Sequence, residues 1–146
     1  MRMEHTLDTT PLVGFGAREG GNRISTPISH ATRQMRVHGI DLRYFREANI
    51  RFDRVIVMED FDVTLQVLRT GRANCVLNKW VTNQGGSNTA GGCSHYRTPE
   101  VQTESALKLA ELHPGLVNVV RKRTKTSWGG EERTDVIIQW KKALAL

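Results

Sequence analysis

From Leu116 to Leu146 the chain reads LVNVVRKRTKTSWGGEERTDVIIQWKKALAL, a stretch that sets a dense run of cations beside an aromatic residue. Arg121, Lys122, Arg123, Lys125, Arg133, Lys141 and Lys142 face only three acids there, a net of 7 − 3 = +4 out of 21 − 15 = +6 for the whole chain. Lysine and arginine neutralise phosphates and release condensed counterions, and an indole offers a flat face on which a base can stack. Arg121, Lys122, Arg123, Lys125, Trp128, Arg133, Lys141 and Lys142 are therefore the predicted nucleic-acid-binding residues, with Trp80 as a second stacking platform. Edge strands also carry Lys and Arg merely to prevent edge pairing. That explains scattered lysines better than it explains the run RKRTK.

Other residues were weighed for catalysis. Asp135, Gln139 and Lys141 fall at even spacing on a predicted strand, so all three would share one face. A carboxylate and a lysine so placed suit a metal-dependent nuclease. However, Gln139 is a poor hard-cation ligand, and Val136, Ile137, Ile138 and Trp140 already explain the strand as ordinary core. Asp60 and Asp62 are further carboxylates, which the sequence alone does not bring near Asp135. Cys93, His95, Cys75 and His113 include zinc-ligating types, but Cys-x-His lacks the usual gap and no second close pair exists. Neighbours such as Cys93 and His95 also make a poor nucleophile–base pair on a loop. No catalytic residue, metal or cofactor is predicted.

These residues need elements to position them. Thr98 is a suitable N-cap, Pro99 fits the first helical position, and Glu100 and Glu104 complement the dipole. Val101, Ser105, Ala106, Leu109 and Leu112 share one side, and His113-Pro114-Gly115 ends the helix, so one amphipathic helix spans Thr98–His113. The segments LVNVVRKRTKTSW and TDVIIQW flank Gly129-Gly130, which predicts a basic C-terminal β-hairpin that changes from buried to solvated along its first strand.

Upstream, a short helix is expected over Asp41–Asn49, and a buried strand over Arg54–Glu59 from its apolar run. DFDVTLQVLRTG carries two patterns. Val63, Leu65 and Val67 alternate as in a strand, while Phe61, Leu65 and Leu68 have helical spacing. β-Branched content tips it to a strand paired with Ala73–Val81. Asn83–Arg97 is a glycine-rich loop matching neither dinucleotide-binding nor P-loop spacing, which reads as a connector or an assembly surface. Residues 1–36 show little periodicity, several glycines and a net charge of 5 − 3 = +2. They are expected to form an extended glycine-rich arm, ordered by its own domain, another chain or nucleic acid.

The expected fold is therefore one α+β domain over residues 37–146, an antiparallel sheet of about four to six strands with one clear helix, preceded by the arm. With 146 residues, a core is affordable, although 38% hydrophobic content is lean. A pI near 9.8 favours polyanionic partners. No apolar run approaches a membrane span, and two cysteines suit a reducing compartment, so a cytoplasmic protein without a membrane partner is expected. The reading is a non-catalytic nucleic-acid-binding protein, within a larger assembly or forming homo-oligomers through its arm. The alternative is an assembly or regulatory component, such as a virion subunit or an inhibitor, and the third is the nuclease.

Overall fold

A computed structural model of the chain describes residues 3–17, 24–34, 37–82, 95–123 and 132–146. The elements run α1 (Met3–Leu7), β1 (Leu12–Ala17), β2 (Ile28–His30), β3 (His38–Ile40), α2 (Leu42–Glu47), α3 (Glu59–Arg69), β4 (Cys75–Thr82), α4 (Pro99–Leu112), β5 (Val117–Arg123), β6 (Glu132–Ile138) and α5 (Trp140–Leu144). Four strands form one sheet in the order β2-β4-β1-β3, and β5 pairs with β6 in a second. The larger sheet is mixed and not antiparallel as expected, because β1 runs parallel to β4 and antiparallel to β3. Parallel neighbours need a long connection, and here residues 18–74 provide it, α3 included.

The largest departure from the sequence reading is α3. The segment expected as a strand is an eleven-residue helix in which every residue from Phe61 to Leu68 is buried. Phe61, Leu65 and Leu68 face a core shared with α4, β5, β6 and α5. Val63 and Val67 face a second core with Leu12 of β1 and Phe45 of α2. A helix packed on two sides loses its polar face, so alternation and helical spacing coexist in its sequence. Helical spacing named the correct element. α3 starts from Met58, whose backbone is left-handed (φ 71°) and gives no side-chain cap, while Glu59, Asp60 and Asp62 supply carboxylates to the first turn.

Residues 54–58, expected as a strand, form no strand but a strap of bends. Val55 and Val57 point inward and Ile56 outward. Its alternating burial resembles a strand, but its contact across the fold is to a helix: Val57 N–H donates to Ser105 Oγ at 3.3 Å.

The segment read as an arm also departs from expectation within its described residues. It contributes α1, β1 and β2, and β1 lies inside the four-stranded sheet. Leu12 and Val13 are fully buried on opposite faces, Leu12 toward α2 and α3, Val13 beside Cys75 and Leu77 under Met3 and Leu7 of α1. Its glycines are close-approach positions. A Cβ on Gly14 would stand 2.5 Å from Gln34 Cγ, where the buried Gln34 amide crosses β1 to reach Asn74 Nδ2. Later in the chain Gly39 makes the same kind of room for α1, since its Cβ would lie 2.7 Å from Met3 Sδ.

Three elements follow the local chemistry read from the sequence. Asp41 caps α2, accepting from Arg43 and Tyr44 N–H. β4 covers Cys75–Thr82, one residue past the end of the expected strand over Ala73–Val81. Thr98 caps α4 through Val101 N–H, Pro99 opens it, and Gln102, Ser105, Ala106 and Leu109 form its buried side. Among the described residues no helix is long and apolar enough to cross a membrane.

Burial of β1 makes a stability prediction. Leu12→Ala leaves a cavity between β1, α2 and α3 and is expected to cost about 2–5 kcal/mol, read from urea unfolding. A cost below about 1 kcal/mol would show that residues 12–17 are peripheral to the core after all.

Candidate polyanion-binding surface

β5 and β6 pair antiparallel from Val117↔Ile138 to Arg123↔Glu132. Cross-strand partners share a face, so Val117, Val119, Arg121 and Arg123 stand with Ile138, Val136, Thr134 and Glu132. At the Val117–Val136 end this face packs on α4, and Gln102 Nε2 donates to the Thr134 carbonyl at 3.1 Å. The opposite face holds Asn118, Val120 and Lys122 with Ile137, Asp135 and Arg133. On β5 only Val117 is buried; Asn118 and Val119 are exposed, Val120 is half-buried, and Arg121, Lys122 and Arg123 are exposed. The change from buried to solvated expected along the strand is therefore confined to its first residue.

Of the eight predicted binding residues, these three and Arg133 come together on the paired strands. Lys125 and Trp128, with the expected turn around Gly129-Gly130, lie outside the described residues. Lys141 and Lys142 lie at the other end of the ribbon, past the Val117↔Ile138 pair. β6 ends at Ile138, Gln139 opens α5, and both lysines sit on that helix. α5 is anchored by Trp140, whose ring meets Phe61 edge-on at 5.8 Å between centroids. Lys142 Nζ donates to the Gly115 carbonyl at 3.1 Å, tying α5 to the turn before β5. Trp80 lies in β4, in the other sheet, half-exposed with Lys79 Nζ 5.2 Å from its ring centroid.

Asp135 occupies a place the sequence reading misassigned. Asp135, Gln139 and Lys141 do not share a strand face, since the chain turns into α5 after Ile138. Instead Asp135 accepts from Arg133 NH2 at 3.0 Å and from Val136 N–H at 2.8 Å, with Lys122 Nζ at 3.6 Å. Burial pushes its carboxyl up, but the Val136 N–H, Arg133 and Lys122 outweigh it and hold the group below its usual value. Asp135 is thus the counter-charge of its own basic face.

The other acid considered, Asp62, is buried on α3 and serves a separate structural network. It accepts from His113 Nε2 at 2.7 Å, Arg54 NH2 at 2.9 Å and Gln66 Nε2 at 2.8 Å. His113 Nδ1 accepts from Arg69 NH1 at 3.3 Å, and Arg69 also caps the Leu112 carbonyl. Asp62 and Asp135 therefore have different partners. This polar centre was not found from sequence. Its signal was an acid at position 62 and an amide at 66, one turn apart on a helix that had been read as a strand.

The cysteine and histidine candidates are dispersed. Cys75 is buried in the sheet core, where burial pushes its thiol up, His113 is bound to Asp62, and Cys93 lies outside the described residues. Among the described residues no three His, Cys, Asp or Glu side chains are grouped to hold a metal ion. A cleft of about 400 Å³ lies between the 54–56 strap and α4. Its charged walls, Arg54 and Lys108 against Glu104 and Glu111, balance, so it does not extend the basic surface.

Asp62→Ala leaves Arg54 and His113 without their shared acceptor and is expected to destabilise the protein by about 3–5 kcal/mol, measured by chemical denaturation. A change under about 1 kcal/mol would show that the network contributes little. At the start of α3, burial pushes the Asp60 carboxyl up to about 6 against the opposing pull of Arg33. A raised folded value means the native state binds the proton more tightly, so stability falls as pH rises from the ordinary carboxylate range through about 6. Asp60→Asn should flatten that slope in melts across this range and gain about 1–2 kcal/mol at neutral pH. An unchanged pH profile would contradict the assignment.

No family model, curated protein or solved structure matches this chain.

Proposed function

We propose that the protein binds nucleic acid without catalysis, through a basic hairpin formed by β5, β6 and the residues joining them. The observation carrying this reading is the row of three exposed cations, Arg121, Lys122 and Arg123, at the solvated end of a two-stranded ribbon. Arg121 and Arg123 share one face about 6.6 Å apart along the strand, with Lys122 on the other, so the arginine pair can follow a phosphate backbone. Lys141 and Lys142 add positive charge at the far end of the ribbon, while Lys125 and Trp128, counted in the same reading, lie outside the described residues. Burial of Thr134 and Val136 under α4 supports it further, because a helix-backed ribbon holds its cations in place.

The protein is expected to bind a labelled oligonucleotide with log K falling linearly against log salt, by about 0.7–0.9 per phosphate contact. Fluorescence anisotropy at several salt concentrations is the check. No detectable affinity at low salt would end the proposal and leave an assembly role as the reading to pursue.

A further inference from the structure

The two faces of the β5–β6 ribbon are not equivalent, and the difference bears on how an anion can be held. On one face, Lys122 and Arg133 converge with the Val136 amide on the carboxylate of Asp135, at 3.6, 3.0 and 2.8 Å. Two hydrogen-bond donors and a nearby ammonium on one carboxylate make an anion site whose occupant is part of the chain. Asp135 is only 15% exposed, so a phosphate cannot share these donors without displacing it or lying beside a second negative charge. On the other face, Arg121 and Arg123 are exposed and have no ion pair among the described residues. Arg123 stands across from Glu132, whereas Arg121 stands across from the neutral Thr134.

We propose that Asp135 is a built-in competitor for the bound anion, and that the ribbon's principal phosphate contact is Arg121 on the opposite face, seconded by Arg123. The inference rests on the nucleic-acid-binding reading and refines it. Lys122 and Arg133, which the sequence weighs equally with Arg121, contribute less than Arg121, because they share one carboxylate that offsets one of their two charges. Asp135 sets an upper limit on affinity and keeps the binding reversible.

The test compares the parent with Arg121→Gln, Lys122→Gln and Asp135→Asn, using a labelled single-stranded oligonucleotide over a salt series and a thermal melt of each protein. Arg121→Gln should weaken binding and lower the salt slope by about 0.7, so that its deficit against the parent narrows about 2.6-fold for a fourfold rise in salt. Lys122→Gln should lose less affinity and slope than Arg121→Gln, and Asp135→Asn should tighten binding and steepen the slope. The inference is overturned if Lys122→Gln loses as much as Arg121→Gln, or if a folded Asp135→Asn binds no better than the parent. Should Asp135→Asn fail to fold, the comparison of Arg121→Gln with Lys122→Gln decides alone. Binding gained only in Asp135→Asn would mean the parent binds no nucleic acid, and would end the proposed function and this inference with it. Absence of binding in both the parent and that variant would reject the nucleic-acid reading itself, and this inference with it.

Discussion

The rest of the structure depends on α3 being enclosed on every side. A helix in that position must bury three polar side chains among its apolar ones, and each needs a partner inside the protein. Thr64 returns its hydroxyl to the Asp60 carbonyl, and Gln66 takes both the N–H and the carbonyl of Arg51. Asp62 is the demanding case, because an unpaired carboxylate at that depth would cost several kcal/mol. Arg54, Gln66 and His113 meet that demand. They also tie the 51–54 segment and the end of α4 to α3.

That linkage reaches the candidate binding surface in few steps. His113 ends α4, the chain turns through Gly115 in a left-handed conformation (φ 73°), and β5 begins at Val117. The buried side of α4 then supports β6 through Gln102 and Thr103, which contact the Thr134 carbonyl and hydroxyl. The Gln102 contact has a second consequence. It places a helix side chain on a backbone carbonyl of β6, one of the ways natural sheets keep an edge from pairing with another chain. Cations along β5 act the same way on its own edge, so surface charge and resistance to edge pairing arise from the same residues.

Counting charges alone overstates the positive field of this ribbon. Counting residues gives Arg121, Lys122, Arg123 and Arg133 equal weight, but a carboxylate beside two of them offsets one of their charges. Asp135 lies near two of the four, and strand pairing put it there: Lys122 is opposite Arg133, and Asp135 is two residues further along β6 on the same face. Two arginines on the other face keep their charge available. The same number of cations in another register would present a different surface.

Local chemistry was legible wherever a few adjacent residues decide the outcome. The Thr98-Pro99 start of α4, the Asp41 cap of α2, the β-branched run of β4 and the solvated end of β5 all follow from backbone satisfaction and side-chain type within one turn or strand. What the sequence could not decide is what each element packs against. Leu12 and Val13 sit in a glycine-rich stretch with no periodicity, and they become core only because β3 and β4 flank β1 on either side. α3 carried two competing periods because it is buried on two sides, and Asp62 found His113 across 51 residues of chain. Which cations stay available is likewise a matter of strand register, a property of two segments together. Caps, turns and propensities are written in neighbouring residues, whereas enclosure and pairing arise between segments far apart in the chain, and only the tertiary structure sets them.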